Sequence, residues 1–89
     1  MINLSSNYEK FGEILQELSE LYLKKNHDYG DSFKKSVGEF GIIASVVRMS
    51  DKMERVKQLV KSKDQTVDES LRDTLIDLAN YAIMTVMEL

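Results

Sequence analysis

Apolar residues recur at helical spacing along nearly the whole chain. Tyr8, Phe11, Leu15, Leu18 and Tyr22 step by three and four, with Ile14 and Leu21 widening the stripe. Glu13, Glu17 and Glu20 lie off that stripe and read as solvated. This pattern predicts a first helix from about Asn7 to about Lys25. A second, from about Val37 to about Lys61, carries Ile42, Val46, Met49, Met53, Val56 and Val60 on one face. A third runs from Val67 to the C-terminus. Each is preceded by a capping box, a Ser or Thr followed three residues later by Glu: Ser6–Glu9, Ser36–Glu39 and Thr66–Glu69. The third helix is apolar nearly all round from Leu75 to Met87, which predicts burial on most sides. One 89-residue chain offers little to surround it, so the pattern predicts a homodimer or homotetramer packed on this helix.

Composition supports the helical reading. There is no proline and there are only four glycines, while Leu, Glu, Lys and Met are abundant. At 89 residues, with 43% hydrophobic and 30% charged, the chain reads as one small globular domain, 1–89, of the all-α class. The expectation is a bundle of three main helices completed by oligomerisation. The net charge is -3 and the basic residues are dispersed among acidic ones, so no stripe suggests duplex nucleic acid. The absence of cysteine excludes disulfides and thiolate metal sites. No signal-peptide pattern or membrane-length apolar run is visible, and a cytoplasmic location is the default expectation.

Two segments link the predicted helices. Residues 61–65 are short and polar and suit an antiparallel turn. The segment Asn26–Phe33 mixes carboxylates, aromatics, a glycine and the only histidine, and reads as a function-bearing loop.

Asp77 stands out, a carboxylate inside an apolar stretch. A charge that loses its water needs a partner, either a metal ion or a basic side chain. Glu69, Asp73 and Asp77 are spaced i, i+4, i+8 on the third helix, and Asp51 and Glu54 are spaced i, i+3 on the second. If those helices pair antiparallel, the two sets can face each other, and oxygen ligands on facing helices suit Mg²⁺. The plainer reading is acidic residues favouring a helix N-terminus, with Glu69 as the capping-box partner. Arg48, Lys52 and Arg55 share one edge of the second helix with Asp51. They suit phosphate recognition, or else form an intrahelical charge ladder. In the loop, Lys25 could meet phosphate, Tyr29 or Phe33 could stack on a base, and Asp28 lies beside them. The alternative is a hydrophobic anchor with a glycine turn, and His27 reads as a surface residue.

The segments Lys25–Phe33, Arg48–Arg55 and Asp68–Tyr81 together resemble the nucleotide modification associated domain 1 family of bacteria and their phages. The resemblance spans roughly Tyr22 to Met87. More distantly, the arrangement is similar to the all-α, MazG-like nucleoside triphosphate pyrophosphohydrolases. Those enzymes hold Mg²⁺ with an ExxE pair on one helix and an ExxD pair on the next. Asp51 and Glu54 stand where ExxE would be, and Asp77 stands at the Asp of ExxD. Thr74 occupies the remaining acidic position, with Asp73 displaced by one residue, and Asp51 is one methylene shorter than Glu.

The resemblance implies a Mg²⁺-dependent (or Mn²⁺-dependent) pyrophosphohydrolase cleaving a (deoxy)nucleoside triphosphate. Asp51, Glu54, Asp73 and Asp77 would hold the metal, and Glu54 or Glu69 would act as general base. Lys25, Arg48, Lys52 and Arg55 would neutralise phosphate, Tyr29 and Asn80 would contact base or sugar, and Asp28 would also bind the substrate. The alternative is a non-catalytic oligomer, for example a phage-encoded one, that sequesters a nucleotide or nucleotide signal through the basic and aromatic residues. A third reading, a purely structural helical partner, predicts no response to nucleotides.

Overall fold

The structure is a computed structural model. It describes residues 4–29, 31–62 and 67–89, and the side chains of all these except residues 4, 5, 67 and 68. The described residues form four α-helices: α1 Leu4–Tyr29, α2 Ser32–Phe40, α3 Ile43–Lys61 and α4 Val67–Met87. They fall into two compact units, Met1–Gly30 and Asp31–Leu89.

The first unit is the 26-residue helix α1. It starts before Ser6 and runs past Lys25, so Ser6 lies within the helix and Asn26, His27, Asp28 and Tyr29 continue it. The expected long loop is therefore mostly helix, because nothing in Lys24–Asp28 is worse for a helix than an ordinary polar residue. Leu18 is buried, Leu21 and Tyr22 are half-buried, and Tyr8, Phe11, Ile14 and Leu15 are exposed.

The second unit begins at Asp31, which adopts a left-handed conformation (φ 61°, ψ 40°) ahead of α2. Aspartate tolerates this region better than most residues. The sequence pattern suggests one helix from residue 37, but the chain forms two. Ser36 is not an N-cap: it sits inside α2 and its Oγ donates to the Ser32 carbonyl at 3.0 Å. Gly41 ends α2 with φ 84° and ψ -175°, and its N–H donates to the Val37 carbonyl at 2.7 Å. Glycine enters this region without the Cβ cost of other residues. The next helix starts at once, with the Ala44 and Ser45 N–H groups bonded to the Gly41 and Ile42 carbonyls. Ser45 is fully buried, and its Oγ donates to the Ile42 carbonyl at 2.9 Å.

Helix α2 packs on α3, and α3 packs on α4. Lys52 reaches Asp77, while Arg48, one turn earlier on α3, lies over Phe33, which stacks on Tyr81, one turn later on α4. Rising positions on α3 thus meet falling positions on α4, as in an antiparallel pair. Among the described residues of this unit, Phe33, Val56 and Ile76 are the buried apolar side chains. Of the face expected on the second helix, Val56 is buried, Ile42 and Met49 are half-buried, and Val46, Met53 and Val60 are exposed. On α4, Leu75, Ile83, Val86 and Met87 are also exposed, so α2 and α3 leave much of the apolar C-terminal stretch uncovered. The capping residue Thr66 and residues 63–65 of the polar link lie outside the described residues. Among the described residues, no helix is long and apolar enough to cross a membrane.

Candidate functional site

Two clusters lie one helical turn apart where α2, α3 and α4 meet. The first is built on Phe33, which the first turn of α2 carries inward. Its ring stacks on Tyr81 of α4, with centroids 5.8 Å apart and planes 23° from parallel. The Arg48 guanidinium lies 5.4 Å from the Phe33 centroid, and Arg48 Nη2 donates to Ser36 Oγ at 3.0 Å. A cation over an aromatic ring and a stacked ring pair are each worth about 0.5–1.5 kcal/mol beyond burial. Phe33 thus joins the three helices of this unit and fixes the guanidinium. Tyr81 was not among the expected site residues. Its lone place in an apolar stretch gave no sign that it would meet Phe33 from another helix.

The second cluster answers the question posed by Asp77. Lys52 Nζ donates to Asp77 Oδ2 at 3.2 Å, with the two side chains 33% and 21% exposed. A basic side chain is therefore a partner of this carboxylate. Thr74, one turn earlier on α4, is buried and its Oγ1 donates to the Ser70 carbonyl at 2.7 Å.

The other expected metal ligands are placed differently. Asp51, Glu54 and Asp73 are exposed, and Glu54 pairs with Lys57 of its own helix at 3.2 Å. Among the described residues, no three carboxylate, histidine or cysteine side chains are grouped so as to hold a metal ion. As arranged here, Asp51, Glu54, Asp73 and Asp77 do not fit a shared Mg²⁺ site. Glu69, the other candidate general base, is exposed in the first turn of α4.

The basic residues keep the edge expected of them. Arg48 and Lys52 are half-buried and engaged, and Arg55, at i+7 from Arg48, is exposed on the same helix. Asn80 is half-buried beside Tyr81 in sequence. Lys25, Asp28 and Tyr29 are exposed residues in the last turns of α1 and belong to the first unit.

The helices and their polar line define an all-α protein with a mixed cationic and aromatic edge. The chain belongs to the nucleotide modification associated domain 1 family, which matches residues 25–89 and so covers all of α2, α3 and α4. No curated protein and no solved structure matches it.

Proposed function

We propose that this protein binds a nucleotide or nucleotide-derived anion without hydrolysing it, and does so as a homo-oligomer. The observation that carries this reading is the Lys52–Asp77 bridge. The carboxylate most needed by a catalytic metal already has an ammonium group at 3.2 Å, while Asp51, Glu54 and Asp73 are exposed and, among the described residues, belong to no group of three ligands able to hold a metal. The line Arg48, Lys52 and Arg55 supplies what phosphate recognition requires, a guanidinium fork, a point charge and a second fork at successive turns. The family's description, nucleotide modification associated domain 1, supports a nucleotide as the anion. Arg55 is the exposed member of the line and would make first contact, with Arg48 held ready by Phe33 and Ser36. Asn80 remains the candidate for a base or sugar contact within this unit.

The test is a thermal-shift and calorimetric screen of ribo- and deoxyribonucleotides, with and without chelator, alongside a pyrophosphate-release assay in Mg²⁺ or Mn²⁺. The binding reading expects a stabilising nucleotide that acts equally well in chelator, with no pyrophosphate released. Ligand at a hundredfold its Kd adds about 2.7 kcal/mol of stability. Arg55→Ala should weaken binding at least about tenfold while leaving the free protein's stability within about 0.5 kcal/mol. Metal-dependent turnover abolished by Asp77→Asn would establish the pyrophosphohydrolase instead. No shift with any nucleotide would favour a structural role.

A further inference from the structure

In the second unit, Lys34, Lys52 and Lys57 each hold a carboxylate at 3.2 Å. The arginines of α3, Arg48 and Arg55, hold none among the described residues. Arg48 donates to the Ser36 hydroxyl, a neutral acceptor, and Arg55 is exposed. Asp51 stands three residues after Arg48 and four before Arg55, the spacing of an intrahelical pair, yet it pairs with neither. A half-buried guanidinium without a counterion suits an anion from outside the chain, and Phe33 already fixes its orientation.

The positive charge open to that anion is limited. At 100° per residue, Arg48, Lys52 and Arg55 lie within about 60° of one another on α3, and Asp73 and Asp77 within about 40° on α4. With Asp51, this edge sets three carboxylates beside its three cations. Lys52 is taken by Asp77, so the charge left without a counterion is that of the two guanidinium groups. A phosphate monoester carries about -1.5 to -2 near pH 7, which two guanidinium groups match. Each further phosphate adds negative charge that meets carboxylates on this edge rather than another unpaired cation. Such like-charge encounters reject a wrong ligand more than they strengthen a right one.

We propose that this edge selects a nucleotide with a single phosphate, a nucleoside monophosphate, and that Asp77 sets the choice by occupying Lys52. The proposal rests on the nucleotide-binding reading above and names its ligand class. Arg48 and Arg55 hold the phosphate, each offering paired donors to its oxygens. The Asp77 carboxylate keeps the Lys52 ammonium from a second phosphate group and repels that group itself.

The test is calorimetric titration of the full chain with the mono-, di- and triphosphates of adenosine, guanosine, cytidine, uridine and thymidine in EDTA, which keeps metal ions from masking phosphate charge. For the nucleoside that binds, the monophosphate should bind at least as tightly as the triphosphate. Asp77→Asn removes a carboxylate and releases Lys52, and should raise triphosphate affinity relative to monophosphate by about tenfold. Lys52→Gln leaves the Asp77 carboxylate without its cation and should move the same ratio the opposite way. Circular dichroism shows which variants are folded, and either one alone tests the role of Asp77. Affinity that climbs from mono- to triphosphate in the wild type would overturn the proposal and leave the nucleotide-binding reading standing. A monophosphate preference unmoved by the substitutions would overturn the role of Asp77. If none of these nucleotides binds, the functional reading and the proposal fall together.

Discussion

Removing the ammonium from the Lys52–Asp77 bridge should destabilise the protein far more than removing an ordinary surface lysine. At 3.2 Å the pair has a Coulomb attraction of about 5 kcal/mol for an effective dielectric of 20, before desolvation is subtracted. The exposures of 33% and 21% place the pair between surface bridges, worth about 0.2–1 kcal/mol, and buried ones, where losing one partner costs about 3–5 kcal/mol. A net coupling of about 1–2 kcal/mol follows. Lys52→Met should therefore cost about 2 kcal/mol, because it keeps the packing of the stem but leaves the carboxylate short of its cation. Asp77→Asn, which can still accept from Lys52, should cost about 1 kcal/mol. Lys52→Met/Asp77→Leu should recover much of the loss, since replacing both charges by apolar groups is often close to neutral. Urea unfolding of the four proteins reads this directly, with Lys52→Met lowering the midpoint by about 1–2 M at an unchanged slope. Coupling should also shrink in 1 M salt, where the Debye length is about 3 Å. If the two single effects instead add to within about 0.5 kcal/mol, the sites are independent and the bridge does not hold Asp77 in solution.

Two further predictions concern the helices around the site. Phe33→Leu keeps an apolar side chain in the core but removes the ring shared by Tyr81 and Arg48, and should cost about 1–2 kcal/mol in urea unfolding; a neutral outcome would mean that the ring contacts add nothing beyond burial. Gly38 and Gly41 should respond oppositely to alanine although neither Cβ would meet another atom within 4 Å. Gly38→Ala, inside α2, should stabilise by about 0.5–1 kcal/mol, whereas Gly41→Ala at φ 84° should destabilise by about 1–2 kcal/mol, and equal effects would show that the break between α2 and α3 is not set by backbone conformation.

Some of this was legible in the sequence because it depends on local pattern. The helical class follows from the 3.6-residue spacing, and the need of Asp77 for a partner follows from its neighbours alone. The extent of α1 and the separation of α2 from α3 were not legible. The expected helix runs through Gly41 without a break, since its left-handed backbone is not visible in the apolar spacing, and Ser36–Glu39 satisfies the capping-box pattern in the middle of a helix. The choice between a metal and a lysine for Asp77 is likewise a tertiary matter. Arg48, Lys52 and Arg55 look alike along one helix edge, and only the rotation of α3 against α4 decides that Lys52 faces the carboxylate. Phe33 and Tyr81 are 48 positions apart, too far for any local pattern to relate them.

Thr74 has a consequence for how this fold can change. It stands where the sequence reading expects an acid, and that place is 6% exposed, with the hydroxyl turned back on its own helix. A carboxylate introduced there would enter the interface before any cation was available to neutralise it. The route from this chain to a four-carboxylate centre therefore crosses a barrier of stability rather than one of sequence distance. The first useful step along it would be a shift of α4 that opens position 74 to water, and only then the exchange of threonine for glutamate.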